Sequence, residues 1–250
     1  MSAPLPPRRV RWSFLGRVPY GEALALQLAA SAAVKRSEGE ERLFLLEHPH
    51  VYTLGRNATS LDILASPEWL AARGIEIVEC DRGGQVTYHG PGQLVGYPVV
   101  NLSPDRRDVR RYVRDLQEVL IRTLAGYGVG AVPGEGQANI GVWTEARKPE
   151  RPEKIASIGV HLSRWVTTHG FALNVATDLA LFAGIIPCGL TAVRMTSIAE
   201  RTGRAPTLNE VASRVAAHFG AVFGREMVAG SPEPGAGVAE PAPAATAGIP

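Results

Sequence analysis

The chain has 250 residues, 45% hydrophobic and 20% charged, and its 26 Lys+Arg against 24 Asp+Glu leave a formal charge of +2. This balance belongs to a globular protein with a sizeable core, and it excludes a disordered chain, a fibre and a protein whose main task is gripping nucleic acid. No run approaches the roughly 18 apolar residues of a spanning helix, and MSAPLPPRRVRW lacks the apolar segment of a secretory signal, so the expectation is a cytoplasmic protein without membrane or nucleic-acid partners.

Along the chain, Met1–Arg9 is Pro-rich and reads as loose, 10–229 as one catalytic body, and Gly230–Pro250 as a disordered Ala/Pro tail too poor in apolar surface to fold. Tyr20–Arg36 (YGEALALQLAASAAVKR) is Ala- and Leu-rich with a helical period. Arg42–Glu47 (RLFLLE) and Gly74–Cys80 (GIEIVEC) read as strands, as does Gln93–Asn101, which is entered from a loop broken by Gly90, Pro91 and Gly92. Asp108–Tyr127 spaces Val109, Tyr112, Val113, Leu116, Leu120 and Leu124 for an amphipathic helix. Asn139–Trp143, Lys154–Trp165 and Val166–Val175 then read as antiparallel strands, the first two separated by the charged turn TEARKPERPE. Leu208–Phe223 closes the body as a helix with Thr207 as N-cap. Helices flanking a largely antiparallel sheet make the fold class α+β (mixed α/β), not a doubly wound dinucleotide fold.

Two cysteines without CxxC spacing, and six scattered histidines, predict neither a disulfide framework nor a metal site. The unusual stretch is Arg82–Gln93, RGGQVTYHGPGQ, with four glycines, a proline, an Arg, a Tyr and a His. It matches neither phosphate-binding glycine pattern. A plain turn is the simplest reading, but glycines also let a backbone pass close to a ligand. Cys80 ends an apolar strand and fits an inert thiol, whereas Cys188, in IIPCGL, lies between Pro187 and Gly189 and fits an exposed bend. A nucleophilic cysteine needs a base or cation beside it. His89, His169 and Lys154 are the candidates. Lys154 opens the mostly apolar KIASIGV, where desolvation would favour a neutral amine, while Lys148 in the charged turn reads as solvated.

Four strings, LEHPHVYTLGRN at 46–57, RGGQVTYHGPGQLVGYP at 82–98, KIASIGVHLSRWVTTHGFALNV at 154–175 and IIPCGL at 185–190, together resemble the octanoyltransferase family of lipoate biosynthesis. The resemblance runs from about Tyr20 to His218. It implies the lipoate/biotin protein ligase-like fold. It also implies transfer of an octanoyl group from acylated acyl carrier protein to a lysine of lipoyl domains, those of 2-oxoacid dehydrogenase E2 subunits and of the glycine cleavage H protein. Cys188 is then the acyl-thioester nucleophile and Lys154 the general acid/base, with no cofactor or metal. The acyl-binding segments map onto Arg82, Gly83, Gly84, Gln85, Val86, Thr87, Tyr88 and His89, onto Ser157, Ile158 and Gly159, and onto Gly170, Phe171 and Ala172.

In this mapping Ile158 and Phe171 are expected to supply apolar lining. His89 orients either Cys188 or the substrate carbonyl, or is simply a satisfied loop histidine. The guanidinium row Arg107, Arg110, Arg111 and Arg114 reads as a solvated face or as a patch that steers an acidic carrier. Three alternatives stay open: an ATP-dependent lipoate/biotin-type protein ligase, a Cys–His thioesterase using His89 or His169, and a non-enzymatic carrier-binding scaffold.

Overall fold

The computed structural model describes residues 8–134, 136, 139–145, 152–186 and 193–230. Cys188 with Pro187 and Gly189, most of the charged turn with Lys148, residues 1–7 and the tail from 231 onward lie outside the described residues.

The chain opens with β1 (Arg8–Arg17), so Arg8 and Arg9, read as loose, are paired strand residues instead. Helix α1 (Tyr20–Lys35) follows, then β2 (Glu41–Glu47) and β3 (Val51–Leu54), the short helix α2 (Pro67–Ala72), β4 (Glu76–Glu79), β5 (Val86–His89) and β6 (Gln93–Val99). After α3 (Val109–Ala125) come β7 (Ala131–Pro133), β8 (Gly141–Thr144), β9 (Lys154–Ser163) and β10 (Val166–Asn174). The short α4 (Ile198–Thr202), α5 (Leu208–Phe223) and β11 (Arg225–Ala229) complete the described chain.

Eight strands form one sheet in the order β11-β1-β2-β6-β10-β9-β8-β7, and β4-β3-β5 form a second, smaller one. The β11–β1–β2 edge of the large sheet is parallel and the rest antiparallel. The large sheet is covered on both faces, which explains why LFLL in β2 is an unbroken apolar run. Leu43 and Leu45 join the core under α3 and α5, while Phe44 and Leu46 join the core under α1. At the start of α5, Glu210 N–H donates to Thr207 Oγ1 (3.3 Å) and Thr207 N–H to the Glu210 carboxylate (2.9 Å), a reciprocal cap for two otherwise orphaned donors.

The segment read as one long glycine loop is interrupted by a strand. Val86–His89 is β5, buried throughout and paired residue by residue with β3 from Val51↔His89 to Leu54↔Val86. Four residues with two aromatics between glycine clusters are too short to declare a period, and only the partner strand decides the matter. The β9–β10 hairpin turns through Arg164 and Trp165, both at positive φ (52° and 64°), which brings Ser157–Gly159 beside Gly170–Ala172.

Candidate active site

Lys154 is 1% exposed, although it opens a strand directly after a charged turn. Its backbone is held on both sides: its N–H donates to Arg194 O and its carbonyl accepts from Thr196 N–H, both at 2.9 Å. Beside it, Glu153 is buried and paired with Arg194 (2.8 Å) and Arg201 (3.1 Å), so the charge entering the core is neutralised before the lysine is reached. The carbon stem of Lys154 lies against Gly141, where a Cβ would stand 2.7 Å from Lys154 Cε and 2.4 Å from Ala156 O. Lys154 Nζ is 5.6 Å from the Trp143 ring centroid.

From Lys154 a narrow pocket, partly open to solvent, runs along the β9–β10 hairpin beneath the Arg82–Thr87 segment. Arg82, Gly83, Gly84, Gln85, Val86, Thr87 and His89 line one side, and Ser157, Ile158, Gly159, Gly170, Phe171 and Ala172 the other. Tyr88 alone among the mapped residues is not part of this lining. Strand alternation turns it away, so that its hydroxyl meets His50 Nδ1 (2.9 Å) and its ring meets Phe182 edge-on. The roof lies close: Gly83 N–H donates to Val160 O (3.0 Å), and a Cβ on Gly159 would come within 2.8 Å of Gly83 O.

The lining is mostly apolar, in keeping with the expectation of an apolar slot. Ile158 and Phe171 border the pocket but also pack into the α3-side core, the Phe171 ring occupying the space that a side chain at Gly96 would need. Polar groups are interspersed among them. Arg82 is buried, giving hydrogen bonds to Thr53 O (2.5 Å), Thr53 Oγ1 (2.9 Å) and Gly83 O (3.2 Å). Tyr20, Tyr97 and His169 also line the pocket. Neither tyrosine was singled out in the sequence, since Tyr20 opens an ordinary helix and Tyr97 sits in the buried strand β6 that follows the glycine cluster. Burial raises both phenols far above their usual range, so both are neutral hydrogen-bonding groups.

His89 resolves through its neighbours. Asn174 Nδ2 donates to Thr196 O (3.0 Å), which leaves Asn174 Oδ1 to accept from Gln93 Nε2 (2.9 Å). Gln93 Oε1 therefore faces His89 Nδ1 at 2.8 Å, and that nitrogen carries the proton. With its donor committed to Gln93 and its Nε2 lone pair facing the Thr53 hydroxyl at 3.5 Å, His89 cannot donate to a substrate carbonyl. Burial, and then the His48 and Arg82 charges, push its pKa well below the ordinary value, making it a weak base. His169 is lowered as well, chiefly by burial, and its Nε2 is already taken by Asp81 Oδ1 at 2.7 Å. His89 is thus poorly disposed as the general base of a hydrolase reading, and His169, whose Nδ1 lies outside the Asp81 bond, has lowered basicity.

Cys80 Sγ donates to Leu54 O at 3.4 Å, a small thiol with a local partner. The arginine row also looks different in three dimensions. Arg110, Arg111 and Arg114 are exposed on α3, and no residue of that helix lines the pocket. Among the described residues no cluster of three His, Cys, Asp or Glu could hold a metal ion, and no helix is long and apolar enough to cross a membrane.

Residues 19–220 match the family model of the lipoyl protein ligase A/B catalytic domain. An octanoyltransferase of Solibacter usitatus is 49% identical over 87% of this chain and 94% of its own. One of Chloroflexus aurantiacus is 49% identical over 85% and 93%. Among solved structures, the bipartite lipoate protein ligase of Thermoplasma acidophilum superposes with a TM-score of 0.68 at 18% identity, covering 88% of each chain. A lipoate-protein ligase A bound with ATP gives 0.66 at 18% identity over 88% of this chain and 89% of that one. At these identities the structures speak to fold alone.

Proposed function

The chain belongs to the lipoyl protein ligase A/B catalytic-domain family, within its octanoyltransferases, and is an acyltransferase; on that premise we propose that it carries an octanoyl group from acyl carrier protein through a thioester on Cys188 to a lipoyl-domain lysine. Acceptors are the lipoyl domains of 2-oxoacid dehydrogenase E2 subunits and the glycine cleavage H protein. The observation that carries the reading is the nearly complete burial of Lys154 at one end of a pocket roofed by the glycine-rich segment.

In this scheme neutral Lys154 takes the Cys188 proton, and the thiolate attacks the carrier thioester. Collapse of the tetrahedral oxyanion breaks the bond to the pantetheine sulfur, which receives the proton back from the Lys154 ammonium. Lys154 next deprotonates the acceptor amine, the amine nitrogen attacks the acyl carbon, and the departing Cys188 sulfur regains a proton. One thioester replaces another and an amide follows, so the sequence runs downhill without ATP. Seating the tail of an octanoyl chain, about seven CH₂/CH₃ groups at roughly 0.8 kcal/mol each, supplies on the order of 5 kcal/mol before ordering costs and the polar groups of the lining are set against it.

Incubation with octanoyl carrier, without ATP or magnesium, should add one octanoyl mass to the peptide containing Cys188, and a lipoyl domain should then remove it. If the adduct maps elsewhere, or forms only with free octanoate and ATP, the scheme fails and a ligase replaces it.

A further inference from the structure

The far end of the pocket from Lys154 is fastened by side chains that the reaction does not use. β10 places His169 at φ +56°, a left-handed conformation uncommon for a residue with a Cβ. Its backbone N–H is accepted by Gln27 Oε1 at 2.7 Å, from a glutamine on α1 that is only 1% exposed. Its ring reaches out to Asp81 at 2.7 Å, the residue immediately before the roof begins. The rung partner of His169 is Val160, whose carbonyl accepts the roof amide of Gly83 at 3.0 Å. One rung of the hairpin therefore holds the roof twice, by the Asp81 carboxylate and by the Gly83 amide.

The geometry points to Gln27, His169 and Asp81 as a positioning relay: Gln27 fixes the strained His169 backbone, His169 fixes Asp81, and Asp81 fixes the height of the roof and with it the acyl-chain length the pocket accepts. Gln27 and Asp81 do not line the pocket, so they act on the substrate only through the roof. The inference rests on the acyl-transfer reading for its substrate but not for its mechanics. A roof tied at one rung defines a sharp depth; a loose roof admits longer chains. A methylene in a fitted pocket is worth about tenfold in specificity or more, so the length profile is a sensitive gauge of roof height.

Two measurements on the full chain test it. Amide hydrogen exchange, which needs no substrate, should quicken across Gly83–Thr87 in Asp81→Ala and Gln27→Leu. In Asp81→Asn, whose side-chain oxygen still accepts from His169, exchange should return close to the wild-type rate. The ratio of kcat/KM for eight-carbon over ten-carbon acyl carrier should fall about tenfold in Asp81→Ala and recover in Asp81→Asn. Unchanged exchange at Gly83 in Asp81→Ala overturns the relay. So does a fall in melting temperature with an unaltered length ratio, because Asp81 would then be merely structural. Should the wild-type chain accept no acyl carrier at all, the acyl-transfer reading falls, while the exchange result still judges the relay.

Discussion

The two ends of the pocket are built by different means. At the Lys154 end, position comes from backbone: carbonyl and amide bonds to Arg194 and Thr196, and the tight approach of Gly141. At the other end side chains add to the one backbone bond from Gly83 to Val160 O: Gln27 holds His169 and His169 holds Asp81, with His161 3.5 Å from the same carboxylate and itself bonded to Arg56 at 2.7 Å. Backbone placement survives most substitutions and most pH changes. Side-chain placement does not. On the proposed reading, chemistry sits at the end that is hard to perturb, and selectivity at the end that is easy to tune.

The largest effect expected from breaking this asymmetry is at Lys154. Lys154→Ala should slow acylation of Cys188 by about 10²–10⁴-fold in single turnover, the usual worth of a positioned general base, while leaving the fold intact by circular dichroism. Lys154→Met, which keeps most of the apolar stem, separates lost packing from lost proton transfer. If either variant retains more than a tenth of the wild-type rate, the base lies elsewhere.

Acid should act on the histidine-lined region first. Burial lowers His48 to about 4 and lowers His50, His89 and His169. A histidine whose folded pKa lies below its unfolded value of about 6.5 binds its proton more readily when unfolded, so its contribution is intact above pH 6.5 and is lost as pH falls towards the folded value. For His48 this loss is on the order of 3 kcal/mol between about pH 6.5 and 4. His48→Gln should therefore be less stable than wild type at pH 8, where it forfeits the bonds to Val18 O and the Tyr97 hydroxyl, yet lose less stability on acidification. Urea midpoints at pH 8, 6 and 4.5 read this out; parallel curves for the two proteins would refute it.

A smaller loss, about 2 kcal/mol, is expected from Gly141→Ala, which combines a positive φ (146°) with a Cβ driven into Ala156 O and the Lys154 stem. Because the clash falls on the lysine stem, the acylation rate should drop while the chain-length ratio holds. A changed ratio with an unchanged rate would contradict the division of labour between the two ends.

Much of the secondary structure was legible, and the reason is periodic burial. The heptad-like spacing in α3 and the reciprocal cap of α5 announce themselves because one helix face meets a core. Lys154 was legible for a related reason, an amine at the head of an apolar strand. Gln27 and Asp81 were not. In sequence Gln27 is one polar residue in an Ala-rich helix, and Asp81 is a charged residue beside a glycine turn. What makes either unusual is the single rung at His169, which brings together residues 142 and 88 positions away in the chain. The parallel edge strands β1 and β11 escaped notice similarly. RRVRWSFLGR and REMVA carry charges that ion pairs such as Arg9–Glu226 satisfy only once the two strands lie side by side.

The smallest effect is the control on which the comparison depends. Thr207 caps α5, none of whose residues lines the pocket, and Thr207→Ala should cost about 1 kcal/mol by leaving a helix donor unsatisfied. It should lower the denaturation midpoint and leave the eight- to ten-carbon ratio untouched. Selectivity that simply tracked global stability would drift in this variant as well. A drift would mean that pocket depth reports the looseness of the whole molecule rather than the height of one roof. A fixed ratio here beside a collapsed one in Asp81→Ala isolates the His169 rung as the place where chain length is measured.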